Sequence, residues 1–320
     1  MHRESGQLSL SDGLVHGTAG RNPRLERIEA LFDWAPFAAL LAPIYGAPTG
    51  RPSYPPLLLF KALVLQQWYG LSDPGLEEAL SDRLSFRRFV GLALDAAVPD
   101  HSTLSRFRGQ LAKRDLGPAL FAELARQLDG HGLIVRQGTL LDASLIKAQA
   151  APPPLARGAG AKSPVDRDAN WTRQRGVAHF GYKAHLAVDQ GSGLIRAARL
   201  TPAAVNESVV ADALIAGDEG AVYGDRAYES KHRRRRLKAA GIKDRILHRS
   251  HKNQAGLPPW QRRRNALIRP IRAQVERLFG TLKRSYGYTR VRYTALAANA
   301  VQFDLLCIAI NLRRAEVLAR

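Results

Sequence analysis

The chain has 320 residues, and its 48 Lys and Arg against 28 Asp and Glu give a net charge of +20 at neutral pH. A hydrophobic content of 45% is enough for a buried core, which excludes a disordered tail. The late apolar stretch, residues 301–310, is too short to span a bilayer, and the single cysteine, Cys307, excludes internal disulfides and multi-cysteine zinc sites. We therefore expect a cytoplasmic protein without a membrane partner.

The positive charge is concentrated in the second half of the chain. Residues 225–290 contain 20 Lys and Arg but only four acids. A positive field of this density indicates a polyanion as partner, and nucleic acid is the commonest one. The alternative is a solvated, arginine-rich surface.

The first half predicts a helical domain over residues 1–132. Helical periodicity marks residues 25–41, 57–69, 76–90, 102–111 and 118–128. Leu104, Phe107 and Leu111 form the apolar stripe of the fourth helix, which leaves outside the polar residues Ser102, Thr103, Ser105, Arg106 and Arg108. Ser102, Thr103 and Arg106 could face DNA from a helix-turn-helix, or serve in packing and capping.

The second half, residues 133–320, predicts an α/β domain. Residues 133–141 are strand-like and lead into Asp142, and residues 149–178 have the Pro- and Gly-rich composition of a flexible insertion. A hairpin is predicted at 182–200, a helix at 208–216, a strand at 221–224, a basic helix at 229–240 and a strand at 244–247. Two helices follow, at 270–284 and 296–318.

Three acids are the candidate catalytic residues. Asp142 and Asp225 each end a predicted strand, where α/β proteins build sites, although either could be a turn or capping residue. On a helical wheel Glu276 lies within about 40° of Arg269, Arg272 and Lys283. The alternative for Glu276 is a simple i,i+4 ion pair with Arg272.

Three carboxylates together suit a hard divalent cation. Mg²⁺ prefers oxygen ligands, and two such ions can activate the attacking oxygen and stabilise the leaving oxygen in phosphoryl transfer. The surrounding cations would neutralise phosphates. An enzyme that cuts DNA needs both kinds of residue.

The flanks of the three acids resemble those of DDE transposases from bacterial insertion sequences, most closely the insertion-sequence-five group. The matching stretches are LLDAS at 140–144, YGDRAY at 223–228 and VERLFGTLK at 275–283. Arg272 and Lys283 stand at the family's spacing around Glu276. In the helical half, LSFRRF at 84–89 and HSTLSRFR at 101–108 also resemble the family, so the similarity extends over about residues 50–318.

The resemblance implies a ribonuclease H-like mixed sheet flanked by helices and preceded by a helical DNA-binding domain. It implies that Asp142, Asp225 and Glu276 bind two Mg²⁺ or Mn²⁺ ions. The predicted DNA contacts are Arg226, Arg272 and Lys283 near these acids and, from the possible helix-turn-helix, Ser102, Thr103 and Arg106. The protein would cut the element ends, join their 3′-hydroxyls to target DNA, and act as a homo-oligomer on double-stranded DNA at the bacterial nucleoid. Two alternatives are a nuclease of the same fold that does not join strands and a non-catalytic DNA-binding protein.

Two positions depart from the family pattern. Arg269 stands where a tyrosine is typical, and Asn206-Glu207 stands where a His or Asn followed by Asp is common, so we assign this pair no role.

The basic run Arg233–Arg236 could follow a phosphate backbone or form a solvated helix face. Trp171 and Trp260 could stack on bases, although anchoring of their loops is the simpler interpretation.

Overall fold

The computed structural model describes residues 20–45, 53–154, 162–174, 176–250 and 256–320. Two compact units are present. The first comprises the residues up to His131 together with Asp304–Arg320, and the second comprises Gly132–Phe303. The sequence-based division at 132 assigned the whole C-terminal helix to the second domain, whereas its part from Asp304 onward packs with the helical unit.

The first unit is helical throughout its described residues. Its helices are α1 (Pro23–Leu31), α2 (Ala35–Leu41), α3 (Pro56–Tyr69), α4 (Asp73–Asp82), α5 (Leu84–Val90), α6 (His101–Lys113) and α7 (Leu116–Gly130). α3 is buried on almost every side, as its continuous apolar sequence predicts, and it ends at Gly70 in the left-handed conformation. α6 starts at the predicted signal, because the Asp100 carboxylate accepts a hydrogen bond from the Thr103 amide.

Two expectations for this unit need correction. The predicted helix 76–90 is two helices, because the chain becomes extended at Arg83. Arg108 is not outside the apolar stripe. Its side chain is 4% exposed and its guanidinium pairs with Asp73, so it belongs to a buried ion pair, which a helical wheel of α6 alone cannot reveal.

The second unit contains a six-stranded mixed sheet. Its strands are β1 (Thr139–Lys147), β2 (Asn170–Gln174), β3 (Val177–Asp189), β4 (Ile195–Pro202), β5 (Ala221–Gly224) and β6 (Lys243–Ile246). β1 pairs antiparallel with β3 and parallel with β5, β6 extends the sheet beyond β5, and both β2 and β4 pair with β3. The helices are α8 (Glu207–Leu214), α9 (Lys231–Ala239), α10 (Pro259–Ser285) and α11 (Leu296–Leu318).

Opposite faces of the sheet carry different helices. Leu141 belongs to a buried cluster with Ala211 and Leu214 of α8. Asp142 is the next residue of β1 and therefore points to the other face, where Arg272 of α10 approaches it. The sheet thus lies between α8 and α10, and Asp142 is on the α10 side.

Asp142 does not end its strand, contrary to the sequence prediction. β1 starts six residues later than expected and continues to Lys147, because β3 pairs with it over its whole length. Pairing with β5, however, covers only Thr139 and Leu140. Asp142 therefore lies just beyond the part of β1 that pairs with the parallel strand β5.

The prediction of a flexible insertion at 149–178 is wrong for part of this segment. Residues 170–174 form β2, which pairs with the first residues of β3, and Asp166 is buried with its carboxylate accepting a hydrogen bond from the Tyr182 hydroxyl. Local composition missed β2 because its stability comes from pairing with β3. Residues 155–161 and 175 lie outside the described part of the chain.

Gly181 lies at a point where β3 closely approaches the backbone of β1. Its φ is +151°, and a Cβ atom there would lie 2.2 Å from the carbonyl oxygen of Ile146 and 2.6 Å from the amide nitrogen of Ala148. At this residue β3 changes its second partner from β2 to β4. Only glycine fits, because both the backbone angle and the available space exclude a side chain.

The last two helices differ in how well their sequences predict them. α10 starts at Pro259 instead of Pro270 and contains Pro270 within it, so a proline that looked like a start signal is internal.

α11 has the predicted bounds. It is long and apolar enough to pass a test for a membrane span, but 72% of its most apolar stretch is buried inside the protein, as in a core helix. The bent pair Pro23–Leu31 and Ala35–Tyr45 passes that test only if counted as one span.

Candidate active site

Asp142 and Asp225 occupy equivalent positions on neighbouring parallel strands. Leu140 of β1 and Tyr223 of β5 are the last residues that these two strands pair with each other, and each acid follows that residue by two positions. Adjacent parallel strands run side by side at about 4.8 Å, so the register brings the two carboxylates to the same edge. Asp225 does end β5, as the sequence predicts.

Glu276 approaches from α10 and is connected to Asp142 through Arg272. The Arg272 guanidinium lies 3.5 Å from Asp142 Oδ1 and 3.9 Å from Glu276 Oε1. Its side chain is only 9% exposed, whereas that of Glu276 is 59% exposed. The i,i+4 pair considered from the sequence is therefore present, but it also includes Asp142, which helical geometry alone could not show.

Asp142 is the electrostatically unusual member of this group. Burial raises the pKa of its carboxyl to about 6, and the nearby Glu276 and Asp225 carboxylates act in the same direction. Arg272 and the backbone amide of Ala143 lower the pKa of Asp142 but do not overcome burial. The effects of Glu276 and Asp225 on this pKa place all three acids in one electrostatic neighbourhood.

Asp225 is held by its own backbone turn. Its Oδ1 accepts a hydrogen bond of 2.6 Å from the amide of Ala227, which caps the short 3₁₀ turn Arg226–Tyr228. The capping role considered from the sequence is thus real, and it fixes the carboxylate's orientation. The neighbouring Arg226 is exposed, and among the described residues it has no ion pair.

The other predicted DNA contacts divide between the two units. Lys283 is half-buried on α10 and lines a cavity with Ala143 and Ser144 of β1, and burial lowers its pKa. In the helical unit, Arg106 donates to the hydroxyl oxygens of Ser102 and Thr103 at 3.2 Å each. These three residues form one exposed cluster at the start of α6.

The basic run of α9 is only partly a surface feature. Arg233 is 1% exposed and donates hydrogen bonds to Asp212 and to the carbonyls of Ser208 and Tyr228, so it is a core residue. Arg234 and Arg236 pair with carboxylates as well. This excludes a continuous phosphate track at Arg233–Arg236.

Sequence reasoning missed a polar group buried in the sheet. Lys183 of β3 pairs with Glu207 at 2.9 Å and donates to the carbonyl of Val205, which gives Glu207 a contact we had not assigned. His185, fully buried on the same strand, contacts Thr201 at 2.9 Å through Nε2, and its Nδ1 has no partner among the described residues. The β3 sequence gives no signal for this group beyond two cationic residue types in a buried strand.

The pKa of Tyr228 responds both to Glu207 of this polar group and to the acids Asp142 and Asp225. Its hydroxyl is buried without a hydrogen-bond partner in the described part of the chain. Burial raises its pKa, and the carboxylates of Asp142, Glu207 and Asp225 raise it further. A tyrosine three residues after Asp225 is the one sequence signal that could have identified it.

Comparison with known proteins identifies the family. Residues 134–312 match the family described as Transposase DDE domain, and residues 16–110 match that described as Transposase domain (DUF772). The chain is a DDE transposase. The two matched domains are typical of bacterial insertion-sequence transposases, and assignment to the insertion-sequence-five group stays a prediction.

Among solved structures, the transposase is similar to a piggyBac transposase synaptic complex with hairpin DNA. Identity is 10%, the TM-score is 0.43, and the match covers 92% of this chain and 76% of the other.

Membership of the family implies that the transposase depends on a divalent metal ion. The donor chemistry fits, since Asp142, Asp225 and Glu276 offer only hard carboxylate oxygens. The buried Asp142 with its raised pKa would gain from a nearby cation. Within the described ranges, however, no three His, Cys, Asp or Glu side chains are arranged to hold a metal ion, and the Arg272 guanidinium contacts both Asp142 and Glu276.

The buried His185 predicts an acid-sensitive fold. Burial, and secondarily Lys183, lower its pKa to about 4, whereas an unfolded histidine titrates near 6.5. The unfolded transposase therefore binds this proton first, and the stability that the neutral imidazole contributes is present above pH 6.5 and is lost as the pH falls towards 4. We expect His185→Gln to remove up to about 3 kcal/mol of this pH dependence in urea unfolding.

The exposed His232 provides the control for this measurement. His232→Gln should leave the pH dependence of the free energy of unfolding unchanged. An unaltered slope between pH 6.5 and 4 in His185→Gln would contradict the assignment.

Proposed function

We propose that the transposase hydrolyses the phosphodiester bond at each end of its element and joins the freed 3′-hydroxyls to target DNA. Asp142, Asp225 and Glu276 act as the catalytic and metal-binding residues. The observation that carries the proposal is the equivalent register of Asp142 and Asp225 on β1 and β5, with Arg272 connecting Asp142 to Glu276.

The sheet supports a ribonuclease H-like fold for the catalytic unit. With β2 set aside, the strands lie in the spatial order β4-β3-β1-β5-β6, with an antiparallel hairpin on one side of β1 and parallel strands on the other. β1 is central, and it carries the first acid. In open α/β sheets, sites form at the carboxyl ends of the parallel strands, and Asp142 and Asp225 lie where β1 and β5 stop pairing with each other.

The chain's own residues divide the work by charge. The three carboxylates would hold two Mg²⁺ or Mn²⁺ ions, which when bound supply charge stabilisation for the attacking and leaving oxygens. Arg272 contacts both Asp142 and Glu276 and offsets the repulsion between their like charges. The exposed Arg226 and the half-buried Lys283 bind phosphates that flank the reacting one.

DNA recognition is proposed for the helical unit. Ser102, Thr103 and Arg106 are held in one cluster at the exposed start of α6, and Asp100 anchors the cluster by accepting from the Ser102 hydroxyl and the Thr103 amide. A helix presented in this way can enter the major groove with its first turns. We propose that it contacts the element's terminal repeats in double-stranded DNA.

Two element ends must be processed together, so we propose that the transposase acts as a homo-oligomer on DNA at the bacterial nucleoid. The family and the charge distribution support DNA as the partner.

An end-joining assay tests the proposed chemistry. Duplexes carrying the element's terminal repeat joined to flanking DNA, labelled at the 5′ end of the strand whose 3′-hydroxyl would be freed, are incubated with a plasmid and Mg²⁺ or Mn²⁺. We expect label to enter the plasmid only when metal is present. Cutting without joined product would favour the nuclease alternative, and binding without any cutting would favour the non-catalytic one.

A further inference from the structure

A groove in the catalytic unit leads away from the acids. Two adjoining cavities of about 350 and 510 Å³ share Lys147, His179 and Phe180. The first cavity reaches Ala143 and Ser144, the residues directly after Asp142, and the second reaches Arg290. The groove therefore begins next to the proposed reacting phosphate and follows the far half of β1.

The charged side chains that line the groove are all positive. Lys147, Lys283 and Arg290 line it, and none of its described lining residues is acidic. These three cations have no ion pair with any residue in the described ranges. The groove thus offers three unneutralised charges, in contrast to α9, where most arginines are paired.

The backbone holds two of these cations side by side. The Lys147 amide donates to the carbonyl of Thr289 at 3.0 Å, the Val291 amide donates to the carbonyl of Lys147 at 2.9 Å, and Lys147 and Arg290 form a parallel bridge. Like charges set opposite each other destabilise a sheet. The backbone hydrogen bonds hold the two cations near each other despite this repulsion, and an anionic ligand would neutralise their charges.

Aromatic side chains form part of the groove's wall. Trp171 of β2 packs against Phe180 with ring centroids 5.3 Å apart, and its indole nitrogen is buried without a hydrogen-bond partner among the described residues. A cationic groove with an aromatic wall is the arrangement that binds unpaired nucleic acid, since phosphates meet the cations and bases stack on the rings. A duplex keeps its bases stacked internally and can offer only phosphates.

We propose that this groove binds an unpaired stretch of the DNA strand adjoining the phosphate that is cut. Lys147 and Arg290 contact its backbone, and Trp171 contacts a base. This inference rests on the proposed function, because it takes Asp142, Asp225 and Glu276 as the place where the strand is cut.

Equilibrium binding in EDTA tests the groove separately from catalysis. Fluorescence anisotropy with a labelled 15-nucleotide oligothymidine and with a labelled 15-base-pair duplex compares the full chain with the Lys147→Gln/Arg290→Gln double variant. We expect the variant to bind oligothymidine at least about fivefold more weakly, with the salt slope reduced by roughly 1.4, since two phosphate contacts are lost at about 0.7 each. Duplex binding should change less than twofold.

A charge-matched control excludes a general effect of net charge. Lys238→Gln/Lys243→Gln removes the same charge from exposed positions on α9 and β6. It should bind oligothymidine within about twofold of the unmodified protein. Trp171→Ala should weaken oligothymidine binding while Trp171→Phe restores it, provided that both keep the unmodified melting temperature.

Equal weakening in the groove and control variants would overturn the proposal, as would an equal loss for duplex and oligothymidine. Because metal is absent, these results do not depend on cutting. Failure of the proposed function would appear instead as an Asp225 variant that still cuts DNA.

Discussion

Replacement of Asp225 by Asn is expected to reduce strand cutting by about 10³-fold or more. The change removes one of the three charges proposed to hold metal, and a loss of several kcal/mol of metal-borne stabilisation corresponds to this decrease at about 1.4 kcal/mol per tenfold. Asn is chosen because its side-chain oxygen can still accept from the Ala227 amide, so that the 3₁₀ turn after β5 is kept. Gel assays with Mg²⁺ and with Mn²⁺ measure the rate.

DNA binding by Asp225→Asn should stay within about threefold of the unmodified protein, because removal of an acid takes away no phosphate contact. Asp82→Asn removes the same charge at an exposed carboxylate in the helical unit and serves as the control, so it should cut at the rate of the unmodified protein. If Asp225→Asn cut at an undiminished rate, the three-acid scheme would be abandoned.

Replacement of Gly181 by Ala is expected to destabilise the catalytic unit by about 3 kcal/mol or more. The new Cβ would lie 2.2 Å from the Ile146 carbonyl oxygen, a backbone atom, and φ of +151° is a conformation that alanine avoids. Relief requires β3 to move away from β1, which carries Asp142. Thermal and urea unfolding measure the loss.

Gly176→Ala separates backbone strain from the steric clash. Gly176 also has a positive φ, of +81°, but nothing lies within 4 Å of a Cβ built there. It should lose only about 1 kcal/mol. Equal losses in the two variants would show that the close approach of β3 to β1 contributes nothing.

The two glycines also show why local sequence patterns do not predict contacts between strands. Both sit in sequence stretches with strand-like or turn-like neighbours, and neither stretch reveals which glycine faces another strand's backbone. The same reason explains β2, whose residues 170–174 lie in a segment of insertion-like composition and become a strand only against β3. Arg108, polar and therefore expected outside, is buried because Asp73 of another helix neutralises it.

At the candidate site, the motifs around Asp142, Asp225 and Glu276 selected the acids, and the predicted end of β5 at Asp225 is confirmed. The role of Arg272 could not be predicted in the same way. From the sequence it is a cation one turn before Glu276 and a candidate for DNA contact. In the fold it is buried and contacts both Glu276, one turn later, and Asp142, which lies 130 residues before Arg272 in the chain.

The sequence by itself determined the helical first half, most strands and helices of the second, the excess of positive charge and the DDE transposase motifs. These follow from periodicity, capping residues and short-range spacing, which neighbouring residues set among themselves. Tertiary structure alone decided that Asp142 lies within a strand beside the end of β5, that Arg272 separates two of the acids, and that Lys147 and Arg290 lie side by side. Each of these depends on strand register and helix packing between distant segments, where burial and backbone pairing outweigh local preference.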